Sequence, residues 1–169
     1  LDNLSKLYVE IPNFHSAWES HRSLMRSYLN PSKVHNALYE QERFPLSNYY
    51  NLLKIAPTLK IGAKIGTKSL KNQLDLKFPI NSSILRFFGY YIAEGHCEDY
   101  IIISSGDREV INDFTRTLGL LAINYHKRPG TYDYQISSEL LARLMTSLCG
   151  RDSRTKRLPT FWPQLARIQ

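Results

Sequence analysis

A carboxylate closes the stretch at residues 82–96, S-S-I-L-R-F-F-G-Y-Y-I-A-E-G-H, at a point where a helix usually carries cations. Ser82 or Ser83 is a helix-start signal and Gly95 a stop, so Glu94 falls in the last turn. The free carbonyls of that turn carry partial negative charge, and a lone acid beside them is costly. The same hard oxygens suit a divalent cation such as Mg2+, with Glu94 and a main-chain carbonyl near Ala93 or Gly95 as ligands. A solvated side chain at an ordinary helix end is the plainer account of the same spacing. Gly89 sharpens the case for a special helix, because a mid-helix glycine costs about 1 kcal/mol against alanine. With Ala93 four residues on, it forms a small-residue face that another helix can approach closely.

The elements that must position this acid follow in order. Residues 100–105 are an isoleucine-rich strand, and 107–118 are a helix with Asp107 as N-cap, Glu109 in the first turn and Gly119 as C-cap. Residues 121–128 and 132–137 alternate around P-G-T and predict a hairpin, and 138–148 are a helix closed by Gly150. Period 2 sends Ile123, Tyr125, Tyr134 and Ile136 toward the helices, and Asn124, His126, Arg128, Asp133 and Gln135 to the other face. Asn and Gln match adenine, Arg matches guanine, and a two-stranded ribbon fits the major groove. That face is a candidate DNA reader, and it is also what any half-exposed sheet shows.

Upstream, the apolar spacing after Pro12 predicts a helix ending near residue 30, followed by helices over 32–42 and 47–55 around a turn. The pair is either a packing unit or a helix-turn-helix reader with Asn48, Tyr49, Asn51 and Lys54 facing DNA. Residues 60–77 carry five lysines, Lys60, Lys64, Lys68, Lys71 and Lys77, against Asp75. They form a basic linker or a strand-and-turn arm in which Lys60, Lys64 and Lys68 contact phosphates. The organisation expected is a small helical region over 1–58, a linker or arm over 59–80, and a core over 81–169 with a basic tail.

The net charge of +7 and pI near 9.4 favour a polyanionic partner, nucleic acid before membrane. No apolar run approaches the roughly 20 residues that span a bilayer. Cys97 and Cys149 lack metal-ligand spacing and read as reduced thiols, placing the protein in the cytoplasm or with the nucleoid. The chain opens at Leu1 without Met and is expected to be a piece of a longer translation product.

Residues 87–95, F-F-G-Y-Y-I-A-E-G, resemble the motif that names the LAGLIDADG, or dodecapeptide, homing endonucleases, in the variant common in intein-encoded and archaeal members. Gly89, Ala93, Glu94 and Gly95 fall on the motif's glycine, alanine, catalytic acid and closing glycine, and Ile92 departs from it where an earlier Asp stands. The tail at 151–161, R-D-S-R-T-K-R-L-P-T-F, is similar to the K-[KR]-[IL]-P-x-F segment of intein-type members, whose first lysine approaches the scissile phosphate. By position that lysine is Lys156, with Arg154 and Arg157 as neighbouring phosphate contacts.

The resemblance implies an α+β LAGLIDADG fold of α-β-β-α-β-β-α type, a curved antiparallel sheet backed by helices. It also implies Mg2+-dependent, site-specific hydrolysis of double-stranded DNA, with Glu94 and Lys156 catalytic and Glu94 and Gly95 at the metal. Two strands need two carboxylates, and no second G-x-x-x-A-[DE]-G occurs, so a homodimer through the Gly89 and Ala93 face is expected. Three alternatives stay open: a truncated half of a two-repeat enzyme, an inactive nucleic-acid-binding relative such as a maturase or regulator, and a generic basic helix-turn-helix regulator. Leu1 is not an intein's Cys or Ser nucleophile and the His-Asn pair is missing at the end, so no splicing is expected of this stretch.

Overall fold

The computed structural model describes residues 6–12, 14–28, 43–60, 62–67, 73–77 and 79–165, and the chain divides into two compact units, Leu1–Phe78 and Pro79–Gln169. Both are mixed α+β with antiparallel sheets. Among the described residues no helix is long and apolar enough to cross a membrane.

In the first unit, L-Y-V-E alternates and forms β1 (Leu7–Glu10), which sends Leu7 and Val9 into the core. After Pro12 comes α1 (Phe14–Tyr28), bent at His21, then β2 (Arg43–Pro45), α2 (Leu46–Ile55), a 3-10 turn (Pro57–Lys60), β3 (Lys64–Thr67) and β4 (Leu74–Asp75). The sheet order is β2-β1-β3-β4, with Val9 facing both Phe44 and Ile65. Phe14 seals one side of it, its ring centroid 4.4 Å from that of Phe44. Residues 1–58 are therefore not simply helical, and β3 and β4 place 64–67 and 74–75 in a sheet, the strand alternative of the two expected there. Of the expected helix pair, 32–42 lie outside the described residues. The second helix forms, but Tyr49 is buried with its hydroxyl against the Leu59 carbonyl, so it does not face DNA.

The second unit runs α3 (Ser82–Glu94), β5 (Gly95–Cys97), β6 (Ile101–Ser104), α4 (Arg108–Leu120), β7 (His126–Lys127), β8 (Asp133–Ile136), α5 (Glu139–Cys149) and α6 (Trp162–Leu165), with sheet order β5-β6-β8-β7. Asn81, not Ser82 or Ser83, caps α3, its side chain accepting from the Ile84 N–H at 3.0 Å. Asp107 caps α4 as its position predicts, and of Ser137 and Ser138, the two candidates for α5, Ser138 is the cap. Phe87, Phe88 and Tyr91 of α3 pack with Ile101 and Ile103 of β6, Phe114 and Leu118 of α4, Ile136 and Met145 in one core. Each large side chain buried there stabilises the unit by roughly 1.5–3 kcal/mol.

One ending departs from expectation. Gly119 lies inside α4, which instead closes at Ala122, a non-glycine residue at φ +52. The Ile123 N–H donates to the Leu118 carbonyl at 2.9 Å and the Ala122 N–H to Gly119 at 3.1 Å, a Schellman closure that returns Ile123 to the core. This turn consumes 121–123, so β7 shrinks to two residues in place of the strand expected over 121–128. Because an L side chain is strained in the left-handed region, Ala122→Gly is expected to stabilise the unit by about 1 kcal/mol. Urea unfolding with a raised midpoint and an unchanged slope checks it.

Candidate functional site

The site begins with what α3 leaves uncovered. Its apolar face is buried, while Gly89, Ala93 and Glu94 are exposed. The Gly95 N–H closes the helix onto the Tyr91 carbonyl, and the chain passes straight into β5. Gly95 itself is buried. A Cβ there would lie 2.7 Å from the Tyr91 carbonyl oxygen and 2.8 Å from Ile103 Cδ1. The glycine is thus needed for close approach, and its φ of −91 is ordinary. The absence of a loop fixes Glu94 at the edge of the sheet.

Tyr91 carries the next link. Its buried hydroxyl donates to the Gly150 carbonyl at 2.6 Å, and burial pushes its pKa up, so it remains a donor. Gly150, at φ +87, turns the chain out of α5 toward β5. There the Arg151 carbonyl accepts the Cys97 N–H at 3.0 Å and the Arg151 Nε donates to the Cys97 carbonyl at 2.9 Å. Asp152 then closes a tight turn, accepting from the backbone of Arg154 at 3.1 Å and of Thr155 at 3.2 Å and from the Thr155 hydroxyl at 3.0 Å. The Thr155 hydroxyl is the main cause of that carboxyl's lowered pKa.

The turn delivers Lys156 to the end of α3, with Nζ 5.9 Å from the centroid of the Tyr91 ring. Burial lowers the Lys156 pKa, while the negative charges of Glu94 and then Asp152 raise it. Residues far apart in the sequence therefore share one electrostatic environment, although among the described residues no direct ion pair joins Lys156 to Glu94. Arg154 is exposed. Arg157 donates its guanidinium to the Ser147 carbonyl at 2.9 Å, which ties it to the end of α5.

The polar sheet face forms a second group. Directly paired positions put His96, Ile102, Gln135 and His126 in one row across the four strands. Ser104 and Asp133 lie opposite each other one step on, and the Arg128 N–H donates to the Asp133 carbonyl at 2.9 Å. Four of the five expected face residues, His126, Arg128, Asp133 and Gln135, are so brought together. Asn124 is exposed but precedes β7 and lies outside the ladder. Tyr125, expected under the helices, is 41% exposed beside the Tyr134 ring. His96 and Ser104 join the face unannounced. Alternation counted from Gly95 places His96 there once β5 is known to follow the helix without a loop.

The lysines of the first unit divide differently. Lys60 is exposed at the end of its 3-10 turn. Lys64 is exposed on β3 with Glu10 and Asp75 directly opposite on the flanking strands, which offsets its charge toward a phosphate. Lys68 lies outside the described residues.

The described residues hold no group of three His, Cys, Asp or Glu able to enclose a metal ion. The exposed Glu94 and the backbone beside it offer a partial, oxygen-only set instead. Mg2+ is commonly held by one or two carboxylates with waters and substrate phosphates completing the shell. The donors fit that kind of site and not a closed protein cage. Compared with known protein families the chain matches none, and no curated protein matches it.

Proposed function

We propose that this chain is a LAGLIDADG-type endonuclease that hydrolyses double-stranded DNA at a specific site, working as a homodimer. The observation that carries the reading is the placement of Lys156 over the Tyr91 ring in the last turn of α3, the helix whose exposed end carries Glu94, through a turn that Gly150 and Asp152 build. Glu94 and a main-chain carbonyl beside Gly95 would hold Mg2+, which when bound supplies charge stabilisation and an acidified water. The Lys156 ammonium, half-buried against the Tyr91 ring, offsets negative charge that builds on the phosphate oxygens.

Three further features support it. The polar row on the sheet presents Gln135 and two histidines beside Arg128, side chains suited to base edges. Residues 1–78 carry eleven Lys and Arg against six Asp and Glu, so most of the net positive charge lies in the first unit. A Cβ at Gly89 would meet nothing within 4 Å, which leaves that face open to a second copy.

The test is selection of a binding site from a randomised duplex library, followed by incubation of the enriched DNA with Mg2+. Enrichment of a two-fold-related site and cleavage that EDTA abolishes are expected; a protein that enriches nothing overturns the proposal. The single motif copy in this chain leaves room for a second reading, binding without cutting. Enrichment with no cleavage in Mg2+ or Mn2+ would select it.

A further inference from the structure

Asp133 is an odd member of a face that meets DNA. A carboxylate turned toward phosphates is repelled, and its only use against base edges is as an acceptor from cytosine or adenine amino groups. The geometry around it gives it other work. The Ser104 hydroxyl, directly across on β6, donates to Asp133 Oδ1 at 2.6 Å. Asp133 Oδ2 lies 3.8 Å from Arg128 Nη1. The two backbones are tied by the Arg128 N–H on the Asp133 carbonyl at 2.9 Å. Thr131 braces the turn between them, its hydroxyl donating to the Arg128 carbonyl at 3.2 Å and accepting from the Asp133 N–H at 3.1 Å.

From this we infer that Asp133 is a positioning residue: held by Ser104, it aims the Arg128 guanidinium for bidentate contact with a guanine and so sets specificity at one base pair. The inference rests on the DNA-reading role of the sheet face proposed above. Guanidinium recognition of guanine needs the planar fork in register with O6 and N7. An arginine at a hairpin end has many rotamers, and a carboxylate that restrains them lowers the ordering cost of binding. The pairing offsets some of the attraction of Arg128 to phosphate in exchange for direction, and removal of the carboxylate separates the two effects.

The experiment is selection from a randomised duplex library by wild type, Arg128→Ala, Asp133→Asn, Ser104→Ala and the Arg128→Ala/Asp133→Asn double variant, with thermal melting of each. Wild type is expected to prefer guanine at a position where Arg128→Ala loses the preference by about 10-fold or more. Asp133→Asn and Ser104→Ala should relax that same position. Asp133→Asn should not weaken binding to unrelated DNA, whereas Arg128→Ala should weaken it and flatten its salt dependence. In the double variant the Asp133 change should add nothing, which a general loss of hairpin structure would not reproduce. Relaxation by Asp133→Asn at a different base pair would make Asp133 a direct contact and overturn the inference, as would an additive effect in the double variant. These outcomes leave the DNA-reading role standing. A wild type that enriches no sequence overturns that role and the inference together.

Discussion

Glu94→Gln is expected to lower the proposed Mg2+-dependent DNA cleavage by at least about a thousandfold, because the neutral amide keeps the shape and removes the charge that would hold the cation. The effect should be confined to chemistry. Glu94 is exposed, forms no ion pair among the described residues, and stands beside helix carbonyls that disfavour a negative charge. Stability should therefore change by no more than about 0.5 kcal/mol. Binding to the same DNA should hold or tighten, since a carboxylate near phosphates repels them when no cation lies between. Cleavage rate, affinity and melting temperature measured on one preparation check all three. A variant that cuts at the wild-type rate would remove Glu94 from the chemistry.

The second large effect is structural and reaches the site indirectly. Gly150→Ala is expected to destabilise the second unit by about 3 kcal/mol, combining the left-handed backbone penalty for an L side chain with the weakening of a buried hydrogen bond. At φ +87, a Cβ would overlap the Thr155 carbonyl oxygen and lie 2.9 Å from the Lys156 nitrogen. Those neighbours are backbone atoms and cannot swing aside, so the turn must move. With it go the Tyr91 hydroxyl contact to the Gly150 carbonyl and the placement of Lys156. Denaturant unfolding measures the loss of stability. Cleavage at a temperature where the variant remains folded should fall as well, toward the level of Lys156→Met. A variant as stable as wild type would show that the turn is not under the constraint described.

Local signals made much of the second unit legible. Asp107 and Ser138 cap their helices because a short acceptor one residue before an apolar periodic run has little else to do. Glu94 beside Gly95 and the alternation through Asp133 and Gln135 are likewise local, and both landed on the end of α3 and the polar sheet face. What failed was decided by competition or by distance along the chain. Asn81 outcompeted two serines as a cap. Gly119 looked like a helix stop, yet the packing of Ile123 made Ala122 take the strained position. The first unit's sheet depends on β1 pairing with β3, a contact between distant segments that no window of sequence contains. The placement of Lys156 against the last turn of α3 is similar: the resemblance of the tail suggested its role, but its position depends on Gly150, Tyr91 and Asp152 acting together.

The most direct test of the central claim is a cleavage assay on supercoiled plasmid carrying the selected site, with wild type, Glu94→Gln and an equal mixture of the two in Mg2+. If each chain's carboxylate serves one strand, wild type yields linear DNA, the variant yields none, and the mixture accumulates open circles cut in a single strand. Equal linearisation by Glu94→Gln, or intact supercoiled plasmid with wild type bound to its site, would contradict the account.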